Sequence, residues 1–147
     1  NYIVNNIFQS EKNNIVLWER LIVLHKLNEK LPLFLERNLP KFMWDISKAL
    51  TTIHNRGYLH GDCTVDNIGI NNKGNFCIYD FDSATTMAIN NNPDEDFNIL
   101  KRSVNFRLND KFEIPNMDMD SILIYIQKLT NRSYEETIEY LDNIKIM

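Results

Sequence analysis

The sequence is sparing with the residues that bend a backbone or cross-link it. Its 147 residues hold four glycines, four prolines and two cysteines. The cysteines, Cys63 and Cys77, have neither the paired spacing of a zinc site nor the number needed for a disulfide framework. A reducing, intracellular and cytoplasmic setting is the expectation that follows. There is no basic excess: the net charge is -4 and the pI about 5.3, which argues against nucleic acid as a partner. No run approaches the roughly 18 apolar residues of a membrane span, and no signal-peptide pattern is visible. Alanine is scarce and asparagine heavily over-used, a bias read as AT-rich coding rather than as function. With 44% hydrophobic and 24% charged residues the composition is globular, and the length suits one domain with a core of its own. Asn1 stands where Met is expected, so the sequence reads as a fragment or a processed product.

The few glycines are not scattered. Gly57, Gly61, Gly69 and Gly74 all lie in or beside residues 58–84, so the backbone is tightly shaped there and ordinary elsewhere. Ile68 and Ile70 precede the polar run from Asn71 to Asn75, and Phe76 and Ile78 follow it, which predicts a β-hairpin. Asn67 enters that hairpin and Asp80 leaves it. Antiparallel pairing brings such ends to within roughly 5 Å, close enough to share one divalent ion. Asp62 precedes Asn67 in a polar, Gly-flanked loop. Asp62 also reads as a turn-capping residue, and Asn67 as one more Asn in an Asn-rich chain. Asp80 is different, because a carboxylate directly after a buried strand needs a partner.

Around this stretch the pattern is helical. A helix is expected from Leu21 to about Lys30, ended by Pro32. Pro40 opens a second, with Phe42, Ile46, Ala49, Leu50 and Ile53 as one apolar stripe, running to about His54 and stopping at Gly57. Residues 83–93 read as loop. The acids at 94–96 start a helix carrying Phe97, Leu100 and Val104, and another begins at Asp118. Ser133 and Glu136 form a capping box for a last helix with Ile138, Leu141 and Ile144. Residues 2–4 and 7–8 read as a pair of edge strands, and 15–18 as a buried strand. His25 and His54 lie on helical segments without metal-spaced partners and read as structural or surface residues. Cys63 is a candidate for oxidation, though nothing nearby lowers its pKa.

The segment His60-Gly61-Asp62-Cys63-Thr64-Val65-Asp66-Asn67 resembles the H-x-D-x-x-x-x-N catalytic loop of the protein-kinase-like superfamily, and Asp80-Phe81-Asp82 resembles its metal-binding Asp-Phe-Gly. The likeness covers residues 15–105 and is closest in motif to aminoglycoside- and choline-kinase-like enzymes. It implies an α+β fold: a mostly helical C-lobe, a hairpin carrying the metal site, and a short N-terminal strand and hinge. Residues 1–21 become remnant N-lobe strands and hinge, and 22–147 the C-lobe of a single domain. The backbone of Glu19 and Leu21 is then expected to face adenine. Asp62 receives the acceptor hydroxyl's hydrogen bond, Asn67 and Asp80 ligate Mg²⁺, and ATP is the donor. His60 and Phe81 pack together between the lobes. A helix-starting Asp holds the catalytic loop from below; Asp96 and Asp118 both qualify, with Asp96 preferred.

The pattern is incomplete. Gly61 replaces the usual Arg, Thr64 a Lys, Gly69 a bulky aliphatic adenine-floor residue, and Trp18 is large for its position. No G-x-G-x-x-G and no strand-borne Lys with its helix Glu can be placed before Ile15. A preceding segment or a partner is expected to supply that N-lobe. Three readings follow: the catalytic lobe of an ATP- and Mg²⁺-dependent phosphotransferase acting on a small-molecule or protein acceptor; a degenerate kinase-like binding module without turnover; and a small α+β protein with a coincidental motif.

Overall fold

The structure, a computed structural model, describes residues 22–88 and 92–146. The strands expected before residue 19 and the hinge at Glu19 and Leu21 lie outside the described residues, as does the side chain of His25. Ile22–Val23 form β1, followed by a 3-10 segment, Leu24–Lys30, kinked at Asn28 with φ 52° and ψ -122°. Helix α1, Leu31–Arg37, then carries Pro32 in its first turn. This corrects the expected helix from Leu21 to Lys30 and the role of Pro32. A proline costs nothing where first-turn N–H groups have no helical partner, so it opens a helix here, and the break falls at Asn28.

Helix α2, Leu39–Asn55, matches the apolar stripe read from the sequence. Phe42, Ile46, Ala49, Leu50 and Ile53 are fully buried, but so are Met43, Asp45 and Ser47, with Trp44 and Lys41 nearly so. A helix buried over so much of its surface runs through the core of the lobe, with Lys48 and Asn55 left toward solvent. Its polar residues are paired: Lys41 Nζ lies 3.1 Å from Asp45 Oδ1 and donates to the Leu141 carbonyl at 3.1 Å. Burial pushes the Asp45 carboxyl up and the Lys41 amine down, against their mutual attraction. Gly57, at φ 86°, takes the chain out of the helix, its N–H bonded to the His54 carbonyl.

Strand β2, Tyr58–Leu59, leads into the polar loop; β3, Ile68–Ile70, and β4, Phe76–Ile78, form the expected hairpin. Ile68 pairs with Ile78 and Ile70 with Phe76, and β1 adds on the outer edge of β3. The turn is built by side chains: Asn71 Oδ1 accepts the N–H groups of Lys73 and Asn75, both at 3.0 Å. At Gly74, with φ 79°, a Cβ would sit 2.7 Å from the Ile146 carbonyl oxygen, so only glycine lets the C-terminal segment lie across the turn. Strand β5, Thr85–Thr86, pairs with β2 inside a stretch read as loop, since two residues carry no periodicity to detect.

Helices α3, Asp94–Arg107, α4, Met119–Thr130, and α5, Tyr134–Asn143, complete the described chain. Asp118 caps α4 by accepting from Ser121, and the Ser133–Glu136 capping box is present; Ile144 is the extended residue after α5 rather than part of it. The architecture is α+β, a mostly helical lobe with two small antiparallel sheets among the described residues. No described helix is long and apolar enough to cross a membrane.

The hairpin is docked on α2 through Phe76, fully buried and edge-on to both Phe42 at 5.3 Å and Phe34 at 6.3 Å between ring centroids. The Phe76 N–H also donates to Asp45 Oδ2 at 3.0 Å. Phe76→Ala is therefore expected to cost about 3–5 kcal/mol in urea denaturation. Leu33→Ala, on the exposed side of α1, should stay within about 0.5 kcal/mol. Equal losses would mean that the hairpin is not seated on α2 as described.

Candidate active site

One face of α3 carries the polar loop. Asp96, 1% exposed, accepts from the N–H of His60 at 2.8 Å and of Gly61 at 2.9 Å, and from His54 Nε2 at 2.8 Å. Two turns along, Ser103 Oγ accepts the Val65 N–H at 2.8 Å, and one turn further Arg107 pairs with the Asp66 carboxylate. Residues 96, 103 and 107 share a helix face, with Leu100 and Val104 buried beside them. Of the two candidates for the residue beneath the loop, Asp96 fills the place. Asp118 is occupied as the cap of α4.

Within the loop, Asn67 and Asp62 meet directly. Asn67 Nδ2 donates to the Asp62 carbonyl at 2.9 Å and to Asp62 Oδ2 at 3.1 Å. A side-chain amide that spends its donors on Asp62 keeps its Oδ1 acceptor for something else. The Asn67 backbone is held as well, its N–H on the Thr64 carbonyl and its carbonyl on the Tyr79 N–H, both at 3.0 Å. Asp80 is thus the first residue past the last hairpin bond, one position beyond the partner of Asn67. It is exposed, with φ 62°, in the left-handed region that Asp tolerates better than most residues. Asp80 Oδ1 accepts the Asp82 N–H at 3.3 Å. The Asp62 carboxylate is likewise exposed.

His60 ties the two halves together. Its Nδ1 accepts the Asp62 N–H at 3.1 Å, so its Nε2 carries the proton and donates to the Tyr79 carbonyl at 2.9 Å. Burial lowers the pKa of the ring, outweighing the Tyr79 bond and the charges of Asp96, Asp62 and Asp80, and keeps it neutral. Its ring and that of Phe81 meet edge to face with centroids 4.9 Å apart, the packing expected for this pair. Gly61 has φ 89°, and a Cβ there would lie 2.5 Å from the Ser83 carbonyl oxygen. Any larger side chain at this position displaces residues 80–83. Cys63 is fully buried and its thiol is pushed well above the usual range, which removes it as an oxidation site.

Glu19 and Leu21 lie outside the described residues. Four residues went unread as site components: His54, Asp66, Ser103 and Arg107. The last two could have been found by counting helical turns from Asp96. His54 offered no signal, because its partner comes from a different helix.

Compared with known proteins, residues 2–107 match the family model described as "Protein kinase domain". No curated protein matches the chain. The match reaches further toward the N-terminus than the motifs alone indicated, and it ends on the last residue of α3. A coincidental motif is thereby excluded.

The Asp96 network has a signature in pH. Burial raises the carboxyl's pKa, but the bonds from His54, Gly61 and His60 and the attraction of His54 lower it more, so the net shift is downward. A depressed folded pKa stabilises above the unfolded value of about 3.9, and that stability is lost as pH falls through the folded pKa. Urea denaturation should show Asp96→Asn less stable near neutrality by about 1.5–3 kcal/mol, the range for bonds to a charged group. The difference from the unmodified chain should narrow below about pH 4. A constant difference across that range would contradict the network's role.

Proposed function

The chain belongs to the protein kinase domain family, and on that premise we propose that it is the catalytic lobe of an ATP- and Mg²⁺-dependent phosphotransferase in which Asp62 receives the acceptor hydroxyl. The observation that carries this reading is the double bond of Asn67 Nδ2 to Asp62. It fixes the Asp62 carboxylate while leaving an oxygen of each residue uncommitted. Phosphoryl transfer demands mostly positioning, so one oriented carboxylate on the acceptor side suffices.

Asn67 Oδ1 and the exposed Asp80 carboxylate are hard oxygen donors beside the open end of one hairpin, and they fit Mg²⁺. Among the described residues no group of three or more His, Cys, Asp or Glu side chains is arranged to hold a metal ion by itself, so an ion here would draw its other oxygens from water and phosphate. Bound there, Mg²⁺ would neutralise charge on the phosphates. The neutral His60 holds the Asp62 backbone against the Tyr79 carbonyl, which keeps acceptor side and metal side in register. Glu19 and Leu21 are proposed to face adenine, with residues 1–21 as N-lobe remnant and hinge; the family match includes them.

A small-molecule acceptor is favoured. Gly61 has no room for the Arg that pairs with a phosphorylated activation segment. Only thirteen residues, 81–93, separate Asp80 from the start of α3 at Asp94. That leaves little backbone to build a platform for a peptide. The second reading, a module that binds nucleotide without turnover, is favoured by departures inside the matched segment: Thr64 stands where the family pattern has Lys, and Gly69 where it has a bulky aliphatic adenine-floor residue.

Calorimetry with Mg²⁺-nucleotide separates the assigned roles. Asp80→Ala should abolish or greatly weaken binding, Asn67→Ala should weaken it less, and Asp62→Ala should leave it nearly intact. Where turnover is measurable, Asp62→Ala should cost about 10²–10⁴-fold in rate. Equal weakening by Asp62→Ala and Asp80→Ala would show the division of labour to be wrong.

A further inference from the structure

Asp66 lies between the two residues that bond each other, Asp62 and Asn67, and it is itself held from two directions. Its carboxylate pairs with Arg107, the last residue of α3, and its carbonyl accepts the Tyr79 hydroxyl at 2.9 Å. Tyr79 precedes Asp80 directly, and its own N–H donates to the Asn67 carbonyl at 3.0 Å. Residues 66 and 67 are therefore tied to residue 79 by two bonds, one from each end of the same tyrosine, and to α3 by a third.

We propose that Arg107 and Tyr79, acting through Asp66, are positioning residues that set Asn67 relative to Asp80 and thereby set the affinity for Mg²⁺. The inference rests on the proposed function, since it takes those two residues as the metal's ligands. Mg²⁺ demands near-octahedral geometry at about 2.1 Å, so a small shift between one ligand at the entry of the hairpin and another at its exit is felt strongly. Groups that orient metal ligands are typically worth about 10–100-fold in affinity. The Arg107 and Asp66 side chains are 35% and 53% exposed, and an ion pair so open to solvent adds little to global stability. Positioning and stability are thus separable here.

The test compares the full chain with Arg107→Gln, Tyr79→Phe, Asp66→Asn and the double variant Arg107→Gln/Asp66→Asn. The Mg²⁺ concentration that half-saturates ATP binding should rise about 10–100-fold in each single variant. The double variant should be no worse than Arg107→Gln, because the pair acts as a unit. Arg107→Lys should recover part of the loss. ATP binding in EDTA and the thermal midpoint should change little, while amide hydrogen exchange at Asn67 and Tyr79 should quicken in the metal-free, nucleotide-free protein. Unaltered exchange in both Arg107→Gln and Tyr79→Phe overturns the inference. So does quickened exchange with an unaltered Mg²⁺ dependence, which would make the contacts merely structural. An unmodified chain that binds no ATP at any Mg²⁺ concentration overturns the functional reading and this inference together.

Discussion

A single buried carboxylate holds this lobe's chemistry in place. Asp96 is almost wholly removed from water, where an unpaired charge would be prohibitive, and its two oxygens are satisfied by three N–H donors. Two of those donors are the adjacent backbone amides of His60 and Gly61. Pinning two successive peptide units leaves the chain almost no freedom at the start of the loop that follows. The same constraint explains Gly61: a backbone drawn down onto α3 at φ 89° passes so close to Ser83 that a side chain has nowhere to go.

From that fixed point the loop is attached along one helix. Asp96 holds residues 60 and 61, Ser103 holds 65 and Arg107 holds 66, so α3 acts as a ruler for the whole segment. The hairpin is positioned independently, by the seating of Phe76 on α2 and by the buried Asp45 beneath its N–H. The two bodies meet at His60 and Tyr79. A neutral imidazole serves as the link because one nitrogen must accept from Asp62 and the other donate to Tyr79, which a protonated ring could not do. Burial, which lowers the pKa of His60, is thus part of how the site is assembled.

The grading of exposure follows the proposed division of work. Asp96 and His60 are buried and fully bonded; Asp62 and Asp80 are open to solvent and only lightly bonded. Groups that hold the scaffold are desolvated and spent on internal partners. Groups proposed to meet acceptor and metal keep free oxygens, which is what a site needs if its ligands arrive from solution.

By itself the sequence determined what short-range contacts decide. The Asn71–Gly74 turn and its two strands, the α2 stripe, the Ser133 capping box, and the two motifs at 60–67 and 80–82 all depend on residues a few positions apart. Pro32 was misread because proline can end one helix or begin another, and only the kink at Asn28 shows which. Tertiary structure alone decided the rest. The bonds of Asp96 span 35 to 42 positions, Ser103 reaches back 38 and Arg107 41, and the β2–β5 pair closes between segments with no periodicity. Asp96 and Asp118 both stand at the start of a helix, and the preference for Asp96 came from the spacing the family resemblance implies, not from anything in the local sequence. What separates them is that α3 folds back beneath residues 60 and 61, a consequence of packing around α2 that no window of neighbouring residues contains.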